Sequence, residues 1–189
     1  CTSPTESIGL VLAGGRSTRM GTDKAALQWR PGQTLLERAI ELAEAAGCTR
    51  VIVSGDRPGH DCVPDRRFGR GPLAGLEAVL QARATQMNGR YLLVLPLDMP
   101  LLQPATLHNL LATARATAGG AVFANGPLPM ALRVESGLID TVRALLDGDG
   151  RHSLRELARA LDLKVLAAVP GAEMDNVNRP RELDRLRAQ

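Results

Sequence analysis

An apolar run, Ile8 to Leu12, leads straight into Leu12-Ala13-Gly14-Gly15-Arg16-Ser17-Thr18-Arg19-Met20-Gly21-Thr22-Asp23-Lys24, and no other junction constrains the chain as much. The apolar run reads as a buried first strand. Gly14, Gly15 and Gly21 let the backbone approach a ligand closely and turn its N–H groups toward anionic oxygens. Arg16, Arg19 and Lys24 add positive charge around the same loop. The combination predicts a phosphate cradle at the end of a strand. No Gly-Lys-Ser/Thr closes it, so it is not a P-loop, and it lacks the G-x-G-x-x-G spacing of dinucleotide-binding turns.

Downstream, apolar segments alternate with amphipathic ones. Ile8–Leu12, Val51–Val53, Leu92–Leu95, Ala121–Phe123 and Val165–Val169 read as strands. Leu35–Ala46, Leu73–Ala84, Ala105–Ala116, Leu138–Leu146, Leu154–Leu161 and Arg181–Leu186 read as helices. In the first of these, Leu35, Leu36, Ala39, Ile40, Leu42 and Ala43 share one broad face, and Gly47 comes next as a stop. Ser153 and Glu156 form a capping-box pattern. Pro129–Val134 alternates and predicts an added antiparallel strand. Such alternation implies an α/β layered fold, a mainly parallel sheet with helices on both faces. Ligands in open α/β sheets sit beyond the carboxyl ends of the strands. Residues 14–24, 54–71 and 97–100 all fall at such ends, so they are expected on one rim.

At 189 residues the chain is expected to form one domain. Its 44% hydrophobic and 23% charged content is ordinary for a soluble globule. A net charge of +3 suits small anionic substrates and is too weak to argue for nucleic acid. Aromatics make up 2%, which leaves no stacking platform for bases, and Trp29, Phe68, Tyr91 and Phe123 read as packing residues. No apolar stretch reaches bilayer-spanning length, and residues 1–7 carry no signal-peptide pattern, so the cytoplasm is expected, with no membrane partner. Cys1, Cys48 and Cys62 support neither a disulfide framework nor a zinc site, and His60-Asp61-Cys62 reads as a polar loop. No G-x-S-x-G occurs to suggest a hydrolase elbow.

Asp98 comes after the run Tyr91–Leu95 and stands between Pro96 and Pro100, which restrict the backbone and end the strand. A carboxylate there suits Mg²⁺, which prefers oxygen and takes one or two protein carboxylates. The alternative is an acid ahead of a helix beginning near Pro104. Asn178 is the candidate second metal ligand; the alternative is the N-cap of the last helix, with Pro180 and Glu182 well placed for that role. Asn176 would then support the site. Gly71-Pro72-Leu73-Ala74-Gly75 either thins a helix start for close approach of a ligand or packs it tightly on the sheet.

The ordered set LAGG, Arg-Met-Gly and Asp-Lys resembles the signature of nucleotidyltransferases with a glycosyltransferase-A-like, Rossmann-like fold of the nucleotide-diphospho-sugar transferase type. Gly71–Gly75, Pro96-Leu97-Asp98-Met99-Pro100 and Asn176-Val177-Asn178-Arg179-Pro180 come in the order of the molybdenum cofactor guanylyltransferase family, and the chain resembles that family over nearly its whole length. The resemblance implies transfer of GMP from GTP to the phosphate of molybdopterin carrying molybdenum, with Mg²⁺ as cofactor and other cofactor-biosynthesis proteins as partners. It implies a nucleotide- and metal-binding half over about residues 6–104 and an acceptor half over about 105–189. The catalytic residues would be Lys24 on the triphosphate, Arg19 as a second cation and Asp98 on the metal. The nucleotide would meet Leu12, Ala13, Gly14, Gly15, Ser54, Asp65 and the segment Gly71, Pro72, Leu73, Ala74 and Gly75. Asp23 either pairs with Lys24 or lies on the surface. Arg133, Arg151 and Asn176 are the acceptor-binding candidates. The family's frequent asparagine after the second strand is Ser54 here, and its histidine before the proline is Leu128. Related cytidylyl- or sugar-phosphate transferases, and a non-catalytic nucleotide-binding regulator, are the alternative readings.

Overall fold

Short apolar strands such as Gly120–Phe123 cannot bury both faces without layers above and below them, and the chain supplies those layers from both sides. The computed structural model describes residues 6–14, 23–67, 69–148, 153–177 and 182–183. The strands are β1 (Ser7–Leu12), β2 (Gln28–Arg30), β3 (Gln33–Thr34), β4 (Cys48–Ser54), β5 (Cys62–Val63), β6 (Tyr91–Pro96), β7 (Gly120–Phe123), β8 (Gly126–Arg133) and β9 (Lys164–Leu166). The helices are α1 (Leu35–Ala45), α2 (Pro72–Met87), α3 (Pro104–Ala116), α4 (Leu138–Asp147) and α5 (Leu154–Ala160), and a single 3-10 turn spans Lys24–Ala26.

Seven strands form one sheet in the order β5-β4-β1-β6-β8-β7-β9. β1 pairs in parallel with β4 and β6, β4 with β5, and β7 with β9, while β8 runs antiparallel between β6 and β7. The antiparallel strand expected from Pro129 is therefore present, and it begins at Gly126. β9 ends at Leu166, short of the Val169 expected from its apolar pattern. There Val169 leaves the sheet and exchanges hydrogen bonds with the Asn125 side chain. β5 and the β2–β3 hairpin are additions to the expected elements; their two- and three-residue strands are too short to carry a period.

The central strands are apolar on both faces because both are covered. Leu10, Leu92 and Val94 point toward α2, α4 and α5, in a cluster with Leu76, Val142 and Leu157. Leu93 and Leu95 point the other way, toward α1 and α3, with Leu42, Leu107 and Leu111. Gly9 lets α1 come close: a Cβ on it would lie 2.9 Å from that of Ala43. α1 starts at a full capping box between Thr34 and Glu37, and Ser153 caps α5 through the Glu156 N–H. Of the helix expected over Arg181–Leu186, only residues 182–183 are described, in helical conformation. Cys48 and Cys62 are free, and Asp61 of the polar loop pairs with Arg50 and Arg83. No helix among the described residues is long and apolar enough to cross a membrane.

Candidate active site

Parallel pairing sets the ends of β4, β1 and β6 level, with Leu12 opposite both Ser54 and Pro96. The loops that leave these three strands therefore share one rim. Ala13 and Gly14 leave β1, and the Ala13 N–H donates to the Ser54 carbonyl at 3.2 Å. Gly55 leaves β4 at φ +105°, and a Cβ on it would come within 3.2 Å of the Gly14 backbone. Asp65 arrives from the loop after β5, and Asp98 leaves β6 between its two prolines.

Asp65 and Gly14 meet closely. A Cβ on Gly14 would stand 1.9 Å from Asp65 Oδ2, so only glycine leaves room for that carboxylate. Asp65 Oδ1 is buried and has no hydrogen-bond partner among the described residues. Burial pushes the Asp65 carboxyl above the usual carboxylate range. A carboxylate held in this way, without a donor, is an open acceptor for a ligand's N–H or O–H groups.

Ser54 is buried at 1% exposure beneath α2, and its Oγ lies 2.7 Å from where a Cβ on Gly75 would stand. Leu73, Ala74 and Gly75 are likewise buried in the contact between α2 and the sheet. Ser54 thus forms part of the floor of the site, under a helix that only a glycine allows this close. Gly71 caps α2 at φ +71° with open space around it, and Pro72 opens the helix. Both are exposed on the rim.

Across the rim, Lys24 Nζ lies 3.0 Å from Asp98 Oδ2, with side-chain exposures of 19% and 24%. The pair joins residues far apart in sequence that lie beyond neighbouring strands. The Asp23–Lys24 pair weighed from the sequence does not form. Asp23 instead takes both terminal nitrogens of Arg57, and its Oδ1 accepts from the Ala25 N–H at 3.1 Å. Burial pushes the Asp23 carboxyl up, but Arg57 and the Ala25 N–H outweigh it and hold it below the usual carboxylate range. Two adjacent side chains on an extended-to-turn junction point apart, which is why Lys24 reaches Asp98 and Asp23 does not reach Lys24.

The Asp98 loop is braced from two directions. Arg38 of α1 donates to the Pro100 carbonyl at 3.1 Å and to that of Leu102 at 3.2 Å. The Val177 N–H donates to the Asp98 carbonyl at 2.7 Å, which brings the Asn176-Val177 segment onto this loop. Val177 is buried with Trp29 and Leu35. Asn176 is exposed beside it. Asn178, Gly15, Arg16, Arg19 and Arg151 lie outside the described residues.

Arg133 does not reach this rim. It pairs in register with Tyr91, at the start of β6, and with the Glu135 carboxylate. The antiparallel course of β8 carries it to the opposite end of the sheet, roughly 17 Å from Pro96 at strand rise. Arg57 and Arg38 are the site residues that sequence reasoning misses. For Arg57 the one available signal is its position, just beyond the end of β4 at Ser54.

Among the described residues no group of three or more His, Cys, Asp or Glu gathers to hold a metal. Asp98 nevertheless fits a hard cation. It is partly exposed, faces the rim and already neutralises the Lys24 ammonium. One carboxylate, with the remaining positions filled by phosphate oxygens and water, is a common way to hold Mg²⁺.

The family model described as a MobA-like NTP transferase domain matches residues 9–165. A molybdenum cofactor guanylyltransferase of Xanthomonas euvesicatoria is 39% identical, covering 94% of this chain and 93% of that protein. A probable molybdenum cofactor guanylyltransferase of Opitutus terrae is 34% identical over 95% of this chain and 94% of its own length. In fold, the crystal structure of molybdopterin-guanine dinucleotide biosynthesis protein A from Archaeoglobus fulgidus superposes with a TM-score of 0.69 at 20% identity, covering 94% of this chain and 95% of that one. With the glycine-bounded rim and the Lys24–Asp98 pair in place, the chain belongs to the MobA-like NTP transferase family.

Proposed function

We propose that this nucleotidyltransferase moves GMP from GTP to the terminal phosphate of molybdopterin carrying molybdenum. An anionic oxygen of the pterin phosphate attacks the α-phosphorus of GTP. The bond from the α-phosphorus to the bridging oxygen breaks, and pyrophosphate leaves with that electron pair. The product is the guanine dinucleotide form of the cofactor. The attacking oxygen is already ionised, so no general base is needed. Positioning and charge neutralisation supply most of the rate.

In this reading the Leu12–Gly14 backbone and the exposed Gly71-Pro72 edge frame the nucleoside, with Asp65 as the acceptor for its N–H or O–H groups. Ser54, Leu73, Ala74 and Gly75 act from below by letting α2 sit close to the sheet. Lys24 leaves Asp98 for the triphosphate, and its charge follows the charge that develops on pyrophosphate. The divalent cation would be Mg²⁺, which Asp98 would hold with Asn178 as second ligand; when bound it would neutralise phosphate charge. Arg19 and Gly15 would bind the phosphates, and Asn176 and Arg151 would bind the acceptor in the half from about residue 105. Use of GTP and the pterin fits work in the cytoplasm, beside other proteins of cofactor biosynthesis.

The observation that carries this reading is the meeting of Lys24 and Asp98 at 3.0 Å on the rim that Asp65 and Gly14 also share. Calorimetric titration with GTP, CTP and ATP, each with Mg²⁺, tests it. GTP is expected to bind most tightly. A preference for CTP would move the protein to cytidylyl transfer.

A further inference from the structure

We infer that Arg57 is a positioning residue for nucleotide binding: its guanidinium ties the Ala13 backbone to Asp23 and so fixes Lys24 against the end of β1. The inference rests on the role proposed above for Lys24. The fork donates to the Ala13 carbonyl at 3.0 Å from Nη2. Nη2 also donates to Asp23 Oδ1 at 2.9 Å, and Nη1 to Asp23 Oδ2. Asp23 in turn caps the short turn that carries Lys24, through the Ala25 N–H. A single planar group therefore links the β1 end, which frames the nucleoside, to the turn that presents the triphosphate lysine.

The geometry argues against a surface ion pair of no consequence. The Arg57 side chain is 22% exposed, and its Nε is buried without a partner among the described residues. A partly buried, oriented guanidinium that bonds a main-chain carbonyl and a carboxylate at once loses little further freedom on ligand binding. Neighbouring contacts reinforce the placement. Gly55, close before Arg57 in the chain, lies so near the Ala13-Gly14 backbone that a Cβ on it would stand 3.2 Å from Gly14 and 3.3 Å from the Ala13 carbonyl carbon. Lysine at this position retains the charge but has no fork to span both partners.

The test is GTP affinity, measured by calorimetry with Mg²⁺, in a cycle of Arg57→Ala, Lys24→Ala and the double variant, with Arg57→Lys and Asp23→Asn alongside. Thermal unfolding is recorded for each. Arg57→Ala should weaken GTP binding about tenfold in the wild-type background and less than about threefold when Lys24 is already gone, because the two act as one unit. Arg57→Lys should recover only part of the loss, and Asp23→Asn should fall between it and wild type. Equal losses in both backgrounds, or no loss from Arg57→Ala, overturns the inference. If Arg57→Ala fails to fold, Arg57→Lys carries the same cycle with Lys24→Ala. If the wild type itself binds no GTP, the nucleotide reading fails instead, which separates the two ideas.

Discussion

A methyl group on Gly14 would push against the one carboxylate at the rim whose buried oxygen lacks a partner among the described residues. In the Gly14→Ala variant the new Cβ would stand 1.9 Å from Asp65 Oδ2, 2.6 Å from Cγ and 2.8 Å from Oδ1, all inside van der Waals contact. The backbone beneath Gly14 has little room to retreat, since Gly55 lies so close that a Cβ on it would stand 3.2 Å from Gly14. Asp65 must therefore swing away. No hydrogen bond from the described residues holds its Oδ1, so the movement costs an overpacking strain of about 1–3 kcal/mol. In a chain of this size that lowers Tm by roughly 2–12 °C. Removing a charged acceptor from the nucleotide should cost about 1.5–3 kcal/mol of binding, or roughly tenfold to a hundredfold in Kd. Asp65→Ala should lose the same affinity with Tm unchanged or raised, because a buried carboxylate without a donor is gone. The double variant should bind as poorly as either single one, with Tm restored. Scanning fluorimetry and titration with Mg·GTP read both quantities. Losses that simply add, or a Gly14→Ala variant with wild-type affinity, would refute the placement of Asp65 in the nucleotide site.

Asp98→Asn should cut turnover steeply at limiting Mg²⁺ and keep the fold, since an amide is a poorer ligand for a hard cation; steady-state rates against Mg²⁺, with unfolding curves, check this. Lys24→Ala should lower the single-turnover rate at saturating GTP by about a hundredfold or more while weakening GTP binding less. Its unfolding curve is expected to stay near that of wild type, which separates a lost charge from a lost fold. Burial raises the Asp65 pKa, so the folded protein holds that proton more tightly than the unfolded chain does. The stability this brings is complete below the unfolded value near 3.9 and is lost as pH rises through the folded value. Asp65→Asn should therefore gain Tm relative to wild type as pH climbs from about 4 toward 7; a constant difference across that range would contradict the shift.

The layered fold is legible in the sequence because its central strands are buried on both faces. Leu92–Leu95 and Ile8–Leu12 need no partner to be recognised: each is a short apolar run leading into a proline- or glycine-bearing loop. β5 and the β2–β3 hairpin are not legible, because two or three residues hold no period and their pairing is set by neighbours. Asp98 is visible as a charge just beyond a strand and Lys24 as the charge that closes a glycine-rich segment, but only the sheet order brings them together. The nearest charge in sequence, Asp23, is a poor guide to the partner of Lys24, since backbone direction at the turn sends the two side chains to different places. Arg57 and Arg38 carry almost no local signal. Each is one arginine among many, and its role depends on carbonyls at Ala13, Pro100 and Leu102 that only the fold delivers. Sequence order alone does not show that β8 runs backward and carries Arg133 away from the rim.

Incubating the protein with Mg²⁺, molybdopterin carrying molybdenum, and GTP, CTP or ATP in turn, with mass measurement of the product, decides the reaction. The guanine dinucleotide should form from GTP, with pyrophosphate released in equal amount, and should disappear in Asp98→Asn. A product from CTP alone, or nucleotide binding with no product from any of the three, would contradict guanylyl transfer by this chain.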